Sequence, residues 1–134
     1  MILQLKKCPG PGLCPVKGCR NRLGIKKAYC HKHANRLWRF RYPIRAAYLL
    51  LKGHAKSRKR EFSLSYAEFH AFVSSNGYIA GKGNQAHCLH IDRVDETRGY
   101  HRDNIQALTC SENVAKENRK RFAPYFQKFE ECPF

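Results

Sequence analysis

Four metal-seeking side chains at fixed spacing constrain this chain more than any other feature. In "CPVKGCRNRLGIKKAYCHKH", four residues separate Cys14 from Cys19 and two separate Cys30 from His33, with ten between the pairs. Two close pairs joined by a short loop are what a tetrahedral Cys₃His zinc site requires: each pair sits on a tight knuckle and the loop brings the knuckles together. The surrounding Lys and Arg side chains favour the thiolate forms that bind metal. Residues 1–34 are rich in Gly, Pro and Cys with little helical or strand period, so they need such a staple to hold a shape. His31 is an alternative fourth ligand, although the two-residue spacer favours His33. Cys8 reads as an alternative ligand or a free thiol. A closed site of this kind stabilises a fold and has no catalytic role.

Charge gives the second constraint. The 134 residues include 26 Lys and Arg against 10 Asp and Glu, a formal net charge of +16. Of those basic side chains, 17 lie in residues 1–60, a stretch without a single acid. Such asymmetry predicts a polyanion-binding first half joined to a more balanced second half. Phosphate contacts of this type give non-specific affinities of about 10⁻⁴ to 10⁻⁶ M at physiological salt. The apolar run "AAYLLL" is too short to span a bilayer, and "MILQLKKC" lacks the pattern of a secretory signal. The expectation is a cytoplasmic protein without a membrane partner. In a reducing compartment the seven cysteines serve as metal ligands or buried thiols; Cys88 and Cys110 read as buried thiols, with pairing across two strands as the alternative.

Residues 35–77 read as a helical connecting region. Pro43 suits a first helical turn, and Ile44, Ala47, Tyr48, Leu50 and Leu51 recur at helical spacing, in a helix that runs towards "GHAKSRKR". "SYAE" is a capping box in which Ser65 and Glu68 bond each other's backbone, and the helix it opens stops at Asn76-Gly77. Arg36, Arg39 and Arg41 alternate with Trp38, Phe40 and Tyr42, a mixture that grips nucleic acid by phosphate contact and stacking; packing beneath the cysteine module is an equal reading of Trp38. Lys56, Arg58, Lys59 and Arg60 extend the basic surface.

Residues 78–134 carry the candidate chemistry. "HCLHIDRV" alternates like a strand, "DETRGYHRD" is a loop with a Gly-centred turn, and "NIQALTC" is a second strand with Ile105, Ala107 and Thr109 on one face. Ser111 is placed to cap a following helix that carries Asn113, Lys116, Glu117 and Arg119. On a strand, residues two apart share a face, so His90 and Asp92 stand side by side. Packing the helix on the strands brings Asn113 towards them. Imidazole, carboxylate and amide oxygen suit hydrolysis with Mg²⁺ or a similar hard cation, the neutral imidazole taking a proton from water.

The order strand, loop, strand, helix resembles the HNH endonuclease family, whose fold is a ββα-metal unit. "LHIDRVDETRGYHRDNIQALTCSENVAKENR" is similar to the version found in phage and mobile-element proteins. His90 matches the first-motif histidine, Asn104 the middle asparagine 14 residues on, and Asn113 the third-motif position after 9 more. The cysteine module resembles the zinc knuckle that often precedes such domains, and "REFSLSYAEFHAF…GYI" their connecting segment.

The resemblance implies His90 as general base and Asn113 as a metal ligand, with Asn104 pinning the loop between the strands. Many members carry a metal-binding Asp or His where this chain has Leu89, and Asp92 is the obvious substitute, with Glu117 as a further ligand. A second register aligns Asp92 with the family's metal-binding Asp and leaves the base to His90, His87 or His101. Arg93 is a candidate for holding the scissile phosphate.

The expectation is an α+β protein with a zinc-stapled N-terminal module at 1–34, a helical linker at 35–77 and a C-terminal ββα-metal unit at 78–134. It would be a monomeric, Mg²⁺- or Mn²⁺-dependent endonuclease that nicks double-stranded DNA in a bacterial or phage-infected cell. The rivals are a non-catalytic nucleic-acid-binding protein that keeps the fold, and a zinc-containing RNA- or ribosome-binding protein.

Overall fold

A computed structural model describes residues 12–24 and 27–130, with side chains as far as 123; Cys8 lies outside the described residues. The chain is α+β, with helices and one two-stranded antiparallel sheet. It divides into two compact units, Met1–Ala47 and Tyr48–Phe134. The division falls inside a helix rather than at residue 34 or 77.

In the first unit, Leu13 and Arg22 form an antiparallel bridge, and Cys14 N–H donates to the Asn21 carbonyl at 3.0 Å. Cys19 N–H closes a turn on the Val16 carbonyl at 2.9 Å, with Gly18 at φ 77. Cys14 and Cys19 thus sit on one small hairpin. Helix α1 (His31–Arg41) starts earlier than its weak periodicity predicts, because Cys30 takes the N-cap place and His33 falls in the first turn.

Helix α2 (Pro43–Ser57) begins at its proline and passes through Gly53. It ends in a Schellman arrangement, with Arg60 N–H on the Ala55 carbonyl at 2.8 Å and Lys59 N–H on the Lys56 carbonyl at 3.1 Å. The left-handed residue this requires is Lys59, at φ 52, where glycine is the usual occupant.

The second unit is built on an aromatic cluster. The Tyr48 ring meets Phe62, Tyr66 and Phe69 at 5.6, 5.4 and 5.5 Å, and its hydroxyl donates to the Leu64 carbonyl. Helix α3 (Tyr66–Ser75) opens with the capping box of Ser65 and Glu68 and buries Phe69 and Val73, one turn apart. Gly77 at φ 66 stops it and leads into the single turn α4 (Tyr78–Gly81).

Strand β1 (Leu89–Arg93) pairs antiparallel with β2 (Ile105–Thr109), with Asp92 opposite Gln106 and His90 opposite Leu108. Helix α5 (Cys110–Glu130) follows at once. Its cap is Thr109 rather than Ser111: Glu112 N–H donates to the Thr109 hydroxyl, and Thr109 N–H to the Glu112 carboxylate at 2.8 Å. "TCSE" is the capping pattern, which leaves the Ser111 hydroxyl to donate to the Ala86 carbonyl. Among the described residues, no helix is long and apolar enough to cross a membrane.

Candidate metal centre and candidate catalytic face

The hairpin and the start of α1 bring Cys14, Cys19, Cys30 and His33 together, their ligand atoms all within 4.8 Å of one another. His33 Nδ1 stands 3.2 Å from Cys14 Sγ and 3.3 Å from Cys30 Sγ, and Cys19 Sγ lies 3.9 Å from Cys30 Sγ. These four groups are close enough to hold one metal ion. The His33 backbone amide, with the Asn21 side chain, brings the Cys30 thiol down to about 6. That favours the thiolate a metal needs. The first turn of α1 contains no acid, so a thiolate cluster also supplies the negative charge that the helix N-terminus attracts. His31 is not in this group; its ring lies beside the Asn35 amide on the exposed side of α1.

The second site is the β1–β2–α5 unit. Asn104 is 1% exposed, and its side chain spans the loop between the strands. Its amide nitrogen donates to the Asp95 and Gly99 carbonyls at 2.9 and 2.8 Å, while its oxygen accepts from Asp95 N–H at 2.8 Å. Gly99 is held where a Cβ would fall 2.4 Å from the Glu61 carbonyl oxygen, so no larger residue fits without moving the backbone.

His90 lies on β1, with Nε2 3.0 Å from the Gly83 carbonyl oxygen. Asp92, on the same strand face, reaches α5: its Oδ2 accepts from Lys116 Nζ at 2.6 Å and from Gln106 Nε2 at 3.1 Å. Lys116 Nζ also donates to the Arg93 carbonyl at 2.5 Å and stands 3.5 Å from Glu96. Burial opposes ionisation of Asp92, but the bonds from Lys116 and Gln106 outweigh it and hold the carboxyl below its ordinary value. Asn113 is half-buried on α5, one turn before Lys116.

Leu89 belongs to the opposite strand face. It packs on α4, where a Cβ on Gly81 would fall 2.9 Å from Leu89 Cδ1. The missing ligand at this position is therefore a packing residue.

No family model, curated protein or solved structure matches this chain.

The structure assigns some expected site residues other work. Arg93, expected to hold a phosphate, donates to the Glu96 and Arg98 carbonyls at 2.5 and 2.7 Å and lies over the Tyr100 ring at 5.6 Å. A guanidinium fork suits loop carbonyls as well as a phosphate, and here its Nη1 is committed to the loop. Glu117 is exposed, 3.8 Å from Lys120, and does not join Asp92 in a shared cation site. Among the described residues, the Cys14 cluster is the one group of three or more Cys, His, Asp or Glu side chains with metal-ligand proximity. His101 is tied to the Ser63 hydroxyl and lies 3.5 Å from Glu61, which leaves His90 and the exposed His87 as base candidates.

Arg36, Arg39 and Arg41 are exposed on α1, together with Phe40, which is 83% exposed. Lys56, Arg58, Lys59 and Arg60 are exposed at and beyond the end of α2. Sequence reasoning missed the roles of Gln106, Gly83 and Lys116. Strand register would have found Gln106, whereas nothing local marks the other two.

Proposed function

We propose that this chain is a DNA endonuclease of the HNH type that nicks double-stranded DNA, with zinc in its N-terminal cluster. Three thiolates and an imidazole form a donor set that zinc takes, in a closed structural site. Zinc there would hold the hairpin against α1 and present the basic first unit to phosphates.

The observation that carries the nuclease reading is His90. A carbonyl oxygen only accepts, so the Nε2 facing Gly83 is the nitrogen that donates, and in the neutral ring this tautomer leaves the lone pair on Nδ1. That is the form a general base needs. Water would add its oxygen to phosphorus as Nδ1 receives the proton. The bond to the leaving sugar oxygen would break, and that oxygen would take a proton from solvent. Asn104 supports the reading by fixing the loop that joins the two strands.

The Mg²⁺ or Mn²⁺ of the HNH resemblance does not fit Asp92 as it stands. A second cation on that carboxylate would face the Lys116 ammonium, which already stands 2.6 Å from its Oδ2. No step is therefore routed through a divalent ion. The same ion pair favours a second reading, a nucleic-acid-binding protein that keeps the ββα arrangement without activity. Supercoiled plasmid incubated with zinc-loaded protein separates the two, with and without added Mg²⁺ or Mn²⁺ and beside His90→Ala. Nicked circles from the wild type alone support the nuclease; intact plasmid with DNA binding retained supports the second reading.

A further inference from the structure

We infer that Lys116 is the resident cation of the β1–β2–α5 face, its ammonium standing where a divalent ion would otherwise meet Asp92. The inference rests on the proposal that this face is the reaction site. Three oxygens converge on Lys116 Nζ: Asp92 Oδ2 at 2.6 Å, the Arg93 carbonyl at 2.5 Å and Glu96 Oε1 at 3.5 Å. A carboxylate, a backbone carbonyl and a second carboxylate are the donors a hard divalent cation collects from a protein.

The pair is well enclosed, with side-chain exposures of 17% for Lys116 and 16% for Asp92. Gln106 fixes the carboxylate from across the sheet. Lys120 approaches Glu96 and Glu117, so the neighbouring acids are also met by a lysine. An ammonium carries one positive charge and cannot act as a Lewis acid. It is, however, covalently attached, so it faces no loss of translational freedom and is present at every metal concentration. A divalent ion that takes Asp92 Oδ2 and the Arg93 carbonyl must displace it, which leaves the ammonium without its partners in a half-dry site.

The test is Mn²⁺ binding to the zinc-loaded full chain, read from loss of the free-Mn²⁺ electron paramagnetic resonance signal. Wild type and Lys116→Arg are expected to show no saturable site up to millimolar Mn²⁺. Lys116→Met, which removes the charge and keeps the stem, should gain one site per chain, and adding Asp92→Asn should abolish it. A wild-type site that Asp92→Asn removes would overturn the inference, and so would a folded Lys116→Met that gains none. If Lys116→Met does not fold, the wild-type and Asp92→Asn titrations decide alone, a shared absence of binding supporting the inference. Failure of every variant to nick plasmid would retire the nuclease reading and leave the Mn²⁺ result standing.

Discussion

Lys116 Nζ, on the second turn of α5, lies 2.6 Å from the Asp92 carboxylate on β1. This contact joins residues 24 positions apart and fastens the helix to the strand that bears the candidate base. Because Asp92 is held below its ordinary value, the folded chain binds its proton less readily than the unfolded chain does. Its contribution to stability is complete above the ordinary carboxylate pKa, about 4, and is lost as pH falls through the folded value. Glu68, Asp95, Asp103 and Glu112 are lowered too, and their shifts act in the same direction. Acid titration followed by circular dichroism should show stability flat near neutrality and falling below about pH 4, with Asp92→Asn flattening part of the fall.

Asn104→Ala removes three hydrogen bonds inside the loop between the strands and leaves the Asp95 amide and two carbonyls to find other partners. The expected loss is roughly 2–4 kcal/mol, measured by urea denaturation. A loss near zero would mean that the loop does not depend on this side chain.

Removing the metal should unfold the first unit's hairpin and the start of α1. Native mass spectrometry is expected to find one zinc per chain, lost in Cys14→Ser and in His33→Ala. Chelation should lower the melting temperature of the wild type. An unchanged melt after complete zinc removal would end the structural-zinc assignment.

Lys59 occupies a left-handed position after α2 that costs a side-chain-bearing residue about 1 kcal/mol relative to glycine. A lysine at this strained position is understandable if its charge meets a phosphate. Lys59→Gly should therefore raise stability while weakening DNA binding and flattening its salt dependence. A variant that is more stable yet binds DNA equally well would remove Lys59 from the interface.

Phe40→Ala tests whether the first unit grips nucleic acid as proposed, because a side chain 83% exposed contributes little to the fold. A stacked base is worth about 1–3 kcal/mol, so affinity for single-stranded or nicked DNA should fall on the order of 5- to 150-fold with zinc content unchanged. Arg36→Ala, Arg39→Ala and Arg41→Ala should each lower the salt slope by up to about one unit. Equal affinity for Phe40→Ala would show that the ring stays in solvent.

Much of this arrangement was legible in the chain because it is local. The Cys and His spacers, the "SYAE" box and the strand–loop–strand–helix order are short-range patterns, and the structure carries each of them. The start of α1 was harder to read, since its first turn holds His31, Lys32 and His33 rather than a conventional acidic start. "TCSE" carried the true cap of α5, one T-x-x-E pattern away from the serine that drew attention. The pairing of Lys116 with Asp92, the hold of Arg93 on its own loop and the bond from His90 to Gly83 depend on how segments meet in space. No period or spacer announces them.

The most direct test of the central claim is the nicking of supercoiled plasmid by zinc-loaded wild type beside His90→Ala, at matched DNA occupancy and with divalent ions added or withheld. The endonuclease reading predicts open circles from the wild type and a rate lower by about 10²- to 10⁴-fold in His90→Ala. Intact plasmid under every condition, with DNA binding undiminished, would contradict it.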